Sequence, residues 1–373
     1  MGYLVLREPV VLYETIEAVY QHVNGISLEK RKNDLLRKYG QRLTPAERER
    51  MEDICGALLP IEELCESLPE DPALLYYFQK WETESNWQNI CLAKLMVFSF
   101  LDIRVGSFQA SLEQTLHDAQ DRLSRPYILT EINSGGMSFR SPEPGETPPD
   151  LVSQLDQLAI GEQYCWKLYK MLWDYPQAMA ELRQLLEPLA GRVEQVLRDV
   201  MPLARAAYDG WEQYFARHTF SDLLEHFTNQ TVQEDGMDVY INLNLMAPGD
   251  IVFTYDIQGE TPFRQVYIGA LLSQNFQMNR LQATEEEVCS LLRVISDRSK
   301  FEILRRISHN STYCQELSRE MNLTTATISR HMGLLLDAGL VRARRKDNRI
   351  YYDLERDTLT GLCEMITKIL LEP

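Results

Sequence analysis

Apolar positions recur at helical spacing through most of the chain. Residues 10–23 (VVLYETIEAVYQHV) carry the period of an amphipathic helix. A charged stretch from Glu29 to Arg50 leads into Thr44-Pro45-Ala46-Glu47, where Thr44 caps and Pro45 suits the first helical position, which predicts a helix running to Leu59. Asp71-Pro72 repeats that start signal. Residues 89–101 (NICLAKLMVFSFL) are apolar nearly all round and predict a core helix, and a long helix is expected around 176–216. Period-two alternation is rarer. It is cleanest from Met237 to Leu245, where Met237, Val239, Ile241, Leu243 and Leu245 oppose Asp238, Tyr240, Asn242 and Asn244. Ala247-Pro248-Gly249-Asp250 then turns into a second strand, Ile251 to Tyr255. Two β-prone runs around Ser134-Gly135-Gly136 predict a hairpin, and the four prolines of residues 141–150 predict a loop or subdomain linker. The expected fold class is mainly α. A helical N-terminal body over 1–280 carries a small antiparallel sheet, and an α+β module follows over 284–373.

That last module has the most specific pattern. A short amphipathic helix, Gln315 to Met321, is followed by a turn at Asn322-Leu323, and Thr324 is placed to cap a second helix. Ile328, Met332, Leu335 and Leu336 form one apolar stripe of that helix. The opposite face carries Ala326, Thr327, Arg330 and Gly333, with Thr325 and Ser329 on its flank. Small and hydroxylated groups beside an arginine suit a helix that enters a DNA major groove, because bulk would block the approach. Gly339 stops the helix. Leu340 to Arg345 and Ile350 to Leu354 read as two strands around Lys346-Asp347-Asn348-Arg349, a winged helix whose wing is aimed at phosphates. Strand alternation sends Arg344 and Arg345 to opposite faces, so not every basic group there reaches phosphate.

The chain carries a formal net charge of −17 over 373 residues, which on its face argues against a nucleic-acid partner. Divided by segment, the charge says otherwise. Residues 284–373 hold 14 Lys/Arg and 14 Asp/Glu, so the remainder accounts for the whole deficit. From Asn322 to Ile350 there are six basic and two acidic residues, a local +4.

The run ISDRSKFEILRRIS, the helix-turn-helix, ISRHMGLLLDAGLVRARR and IYYDL together resemble the ArsR family of bacterial winged-helix transcription regulators. The resemblance covers roughly residues 284–373, about a quarter of the chain. Its most specific pieces are Ser329-Arg330-His331, Asp337-Ala338-Gly339-Leu340-Val341 and Tyr351-Tyr352. It implies a homodimer that reads a near-palindromic operator and usually represses. It also assigns the flanking apolar stripes, Val288, Leu291, Leu292 and Ile295 with Leu359, Leu362, Met365, Ile366, Ile369 and Leu370, to the dimer interface; the plain alternative is packing onto the N-terminal body. Two departures are visible. The Cys-x-Cys pair of the family's best-known metal sensors falls here on Tyr313 and Gln315, with Cys314 between them, so a thiol-based metal site is not expected. Where the family has Asp-Pro-x-Arg, this chain has Asp297-Arg298-Ser299-Lys300.

The expected DNA-contacting residues are therefore Thr324, Thr325, Ala326, Thr327, Ser329, Arg330 and His331 of the second helix, with Arg344, Arg345, Lys346 and Arg349 of the wing. Arg342 belongs to the same basic run, and His331 equally suits a supporting place on the helix flank. Elsewhere, Trp166, Tyr169 and Trp173 fall on one helix face and are candidates for an aromatic ligand pocket, although such stripes are more often core. His218 and His226 stand two helical turns apart, about 12 Å, too far for one metal. The chain has no P-loop, dinucleotide-binding glycine run, HExxH or GxSxG, so no enzyme and no cofactor is expected. Seven scattered cysteines and the lack of a long apolar run predict a cytoplasmic protein without membrane attachment. The expected function is a dimeric repressor whose operator binding is modulated through the N-terminal domain by a small-molecule or protein effector. The alternative is an interaction or enzymatic module fused to a winged helix.

Overall fold

The computed structural model of the chain describes residues 2–39, 43–81, 89–158, 160–228, 230–231, 236–257, 263–273, 285–346 and 349–371. Strand β1 (Tyr3–Val5) leads into helices α1 (Val11–Val23), α2 (Leu28–Tyr39), α3 (Pro45–Glu66), α4 (Pro72–Phe78), α5 (Leu92–Phe98) and α6 (Phe108–Ser124). The hairpin of β2 (Ile128–Asn133) and β3 (Gly136–Arg140) follows, then α7 (Leu151–Asp156), α8 (Glu162–Trp173) and the long α9 (Tyr175–Phe215). Next come α10 (Phe220–Thr228), β4 (Gln230–Thr231), β5 (Asp238–Asn244), β6 (Ile251–Ile257) and β7 (Phe263–Gly269). The chain ends with α11 (Glu285–Ser296), α12 (Arg298–Ile307), β8 (Thr312–Tyr313), α13 (Cys314–Met321), α14 (Thr325–Asp337), β9 (Val341–Lys346), β10 (Arg349–Leu354) and α15 (Arg356–Leu371).

These elements form two compact units. Within the described residues the larger takes residues 2–81, 89–216 and 236–273, and the smaller takes 217–231 and 285–371. The division differs from the expected break near residue 280 in one respect: α10 and β4 group with the C-terminal elements. The cause is strand pairing, since β4 adds to β9 in parallel, Gln230 beside Ala343 and Thr231 beside Arg344.

In the larger unit the helix starts follow their local chemistry. Thr44 and Glu47 form a reciprocal capping box, and Asp71 accepts the Ala73 N–H at 2.8 Å. The predicted hairpin around Gly135-Gly136 and the long helix are present. The sheet is mixed, with order β1-β5-β7-β6, rather than antiparallel. β5 runs parallel to both β1 and β7, and β6 pairs only with β7. The turn after β5 therefore does not close a hairpin, because β7, buried throughout, stands between the two strands. No helix of the described residues is long and apolar enough to cross a membrane.

Candidate nucleic-acid interface

The smaller unit has one apolar centre. Ile303, Leu304 and Ile307 of α12 meet Leu317 of α13, Ile328, Met332 and Leu335 of α14, and Leu340, Val341, Ala343 and Tyr352 of the wing. Burying one face of each helix this way fixes α14 against α13 and leaves its outer face to solvent. Asp297 caps α12 through the Lys300 N–H at 2.9 Å, and that backbone bond holds its carboxyl below the usual carboxylate range. The helix start thus forms without the proline that the related family carries there.

The turn between α13 and α14 is built by two residues. Asn322 caps α13 in the left-handed region at φ 54°, a conformation that asparagine tolerates better than most side chains. Thr324 then caps α14, its hydroxyl accepting the Thr327 N–H at 3.1 Å and pairing with the Thr327 hydroxyl at 2.8 Å. Gly339, at φ 64°, ends the helix. In the wing, β9 and β10 pair antiparallel from Val341↔Leu354 to Lys346↔Arg349, and Tyr351 and Tyr352 of β10 carry the sheet on to β8.

The outer face of α14 presents Thr325, Ser329 and Arg330, all exposed, with Gly333 one turn beyond the last two. A Cβ at Gly333 would meet nothing within 4 Å, so neither packing nor backbone geometry inside this chain requires glycine there. Thr324 and Thr327 lie at the helix start, where their hydroxyls pair and that of Thr324 also accepts the Thr327 N–H. Arg344 is exposed on the wing and reaches Asp353 at 3.4 Å. The side chains of Ala326, Arg345, Lys346 and Arg349, and the residues Asp347 and Asn348, lie outside the described residues.

Three expected roles change. His331 is only 9% exposed and sits among Lys300, Asp297 and Arg330, with burial the largest cause of its lowered pKa. It supports α14 from within and does not share the outer face. Arg342 is held by carboxylates on either side: Glu225 bonds its Nη1 at 2.7 Å, and Glu355 takes Nη2 at 2.9 Å and Nε at 3.2 Å. Trp166, Tyr169 and Trp173 form neither a pocket nor core. Their rings stack at 5.6 and 5.9 Å along α8 with Trp166 58% and Trp173 76% exposed, while Tyr164, Leu168, Met171 and Leu172 take the buried side. Sequence reasoning missed Glu225 altogether, since nothing local marks a glutamate 117 positions away as the partner of Arg342.

Cys314, between the two positions where the family's metal-binding pair falls, is pushed up in pKa by burial, and its thiol points to the Tyr352 hydroxyl at 3.8 Å. A thiol so placed is poorly suited to binding metal as a thiolate. Among the described residues, no three His, Cys, Asp or Glu gather as a metal-binding group.

An amphipathic helix pair joined by a tight turn, a small polar outer face on the second helix and a β-hairpin carrying arginines define a winged helix-turn-helix DNA-binding module. The helix-turn-helix domain family matches residues 295–344. The chain is 32% identical over 74 residues to the arsenical resistance operon repressor of Staphylococcus xylosus, covering 20% of this chain and 71% of that protein. It is 26% identical over 94 residues to the HTH-type transcriptional regulator YgaV of Escherichia coli strain K12, covering 25% and 95%. A biofilm growth-associated repressor of Agrobacterium fabrum matches at 26% over 87 residues, covering 23% and 74%. Through this C-terminal region the chain belongs to the ArsR family of winged helix-turn-helix transcription regulators.

Proposed function

We propose that this chain is a repressor that binds a near-palindromic operator as a homodimer, with α14 in the major groove and the wing on flanking phosphates. The observation that carries the reading is the outer face of α14, where Thr325, Ser329, Arg330 and the uncrowded Gly333 stand together. The proposed contacts are Thr324, Thr325, Ala326, Thr327, Ser329 and Arg330 on the helix, and Arg344, Arg345, Lys346 and Arg349 on the wing. The local +4 over residues 322–350 supplies the phosphate attraction, and the acidic remainder keeps non-specific affinity low.

Dimerisation is assigned to α11 and α15, which pack on each other. Val288 and Leu362 are buried, while Leu292, Leu370 and Leu371 are 42%, 72% and 74% exposed, an apolar margin suited to a second copy. Half-sites would then lie about 34–36 Å apart, and a small rotation at the interface would withdraw one helix from its groove. The larger unit supplies the regulatory input, an effector of small-molecule or protein class.

Selection of binding sites from random duplex DNA by the full chain tests this. An enriched inverted repeat with half-sites one turn apart is expected, and Arg330→Ala should weaken its binding by ~1–3 kcal/mol and relax preference at one base position. If no sequence is enriched, the reader assignment fails.

A further inference from the structure

Strand β9 carries the exposed Arg344 and would be an edge strand of the wing if the hairpin stood alone. It does not stand alone. In the sheet order β4-β9-β10-β8, β4 covers its outer edge at Ala343 and Arg344, where the wing's exposed arginine departs. The helix before β4 is firmly seated, since Phe220, Leu223 and Leu224 of α10 are fully buried. Directly after Leu224, Glu225 reaches Arg342 at 2.7 Å.

Arg342 is used as a strut. Its Nε and Nη2 go to Glu355, which is buried and is tied a second time by its own N–H to the Leu340 carbonyl at 2.9 Å; its Nη1 goes to Glu225. The planar fork of donors thus bridges α10, β9 and the residue before α15 in one geometry. Alternation places Arg342 and Arg344 on the same face of β9, two residues apart. A change in how β9 is held at Arg342 therefore moves Arg344 directly.

The geometry points to the arm of α10 and β4 as a positioning element of the DNA reader, with Glu225 acting through Arg342 to hold the wing strand that presents Arg344. This rests on the proposed function above. The arm is drawn from the middle of the chain: in sequence it follows α9 and precedes β5, while its strand pairs with β9.

The test uses the full chain and the variants Glu225→Ala, Arg344→Ala and the pair. Amide hydrogen exchange is measured without DNA, and affinity is measured on the duplex that the wild-type chain selects. An exposed ion pair is worth up to ~1 kcal/mol, about fivefold, so Glu225→Ala should speed exchange in β9 by up to about fivefold and leave α14 unchanged. Affinity should fall by a similar factor, and the fall should vanish in the Arg344→Ala background, because the effect runs through that side chain. A merely structural loss would remain in both backgrounds. Unchanged exchange in β9, or a full fall without Arg344, overturns the inference. If the wild-type chain binds no duplex, the proposed function fails and with it the purpose assigned to the arm, while the exchange result still decides whether Glu225 holds β9.

Discussion

Replacing Gly333 by alanine sets helix stability against approach to DNA. Gly333 lies inside α14, four residues before its end, and an added Cβ would meet no atom within 4 Å. Within the chain the substitution should therefore stabilise, because alanine restricts the unfolded backbone and favours the helix by ~0.5–1 kcal/mol. In a unit of this size each kcal/mol raises the Tm by about 4–8 °C. On DNA the sign reverses. Ser329 and Arg330 stand one turn back on the same face, so under the proposed docking a methyl at 333 would occupy the space between helix and groove. Forcing an extra carbon into a closely packed contact costs ~1–3 kcal/mol, which is about 5- to 150-fold in Kd.

The assay is paired: thermal unfolding followed by circular dichroism, and anisotropy titration of a labelled operator duplex, both on the full chain. The expected outcome is a higher Tm with weaker specific binding. Non-specific affinity and its salt dependence should barely change, because the substitution leaves the wing's basic residues untouched. A variant that is more stable and binds the same sequence as tightly as wild type would refute the placement of this face in the groove.

Further outcomes follow from the same structure. Thr324→Ala removes the acceptor for the Thr327 N–H and should lower the unfolding free energy of the smaller unit by ~0.5–2 kcal/mol in urea titration, with Thr324→Ser restoring most of it. Lys94→Met leaves Glu17 as an unpaired charge, since the pair meets at 2.8 Å with side chains 4% and 2% exposed; a loss of ~3–5 kcal/mol is expected, largely recovered by adding Glu17→Gln. His331 has a lowered pKa, chiefly from burial, with Lys300 and Arg330 adding to it and Asp297 opposing. The unfolded chain then binds the proton more readily than the folded one, so stability is complete above about pH 6.5 and falls as pH drops toward the lowered folded value. Urea midpoints measured across that window should decline in wild type and flatten in His331→Gln; equal slopes would exclude His331 as the cause.

What was legible in the sequence follows from the range of each interaction. The winged helix rests on signals a few residues apart: the Thr324 cap, the turn at Asn322, the stop at Gly339 and a hairpin whose strands are neighbours in the chain. The strand pairing in the sheet of the larger unit has no such signals, although β5 and β6 themselves do. β7 is buried on both faces, so it shows no alternation, and its buried Arg264 and Gln265 disguise it further. Its parallel neighbour β5 is paired in turn with β1, Tyr3 beside Val239, far apart in sequence. Likewise β4 is two residues long and has no period to read. Helical spacing placed Trp166, Tyr169 and Trp173 on one face correctly, yet period alone does not say which face of α8 is covered; Leu168 and Met171 won that place. The choice between the two places open to His331 was not legible for a related reason, because the first turn of α12 that encloses it lies 31 or more residues upstream.

The interface itself is legible through what it gives up. Positions on the inner face and at the start of α14 gain something from the fold, whether burial at Ile328 and Met332 or a cap bond at Thr327. Gly333 gains nothing within the chain: its φ is ordinary for any residue, its surroundings are open, and it costs the helix stability. A residue that weakens its own element without internal compensation is explained most directly by a partner that must come close, and the groove of a duplex is the partner that the rest of this face fits.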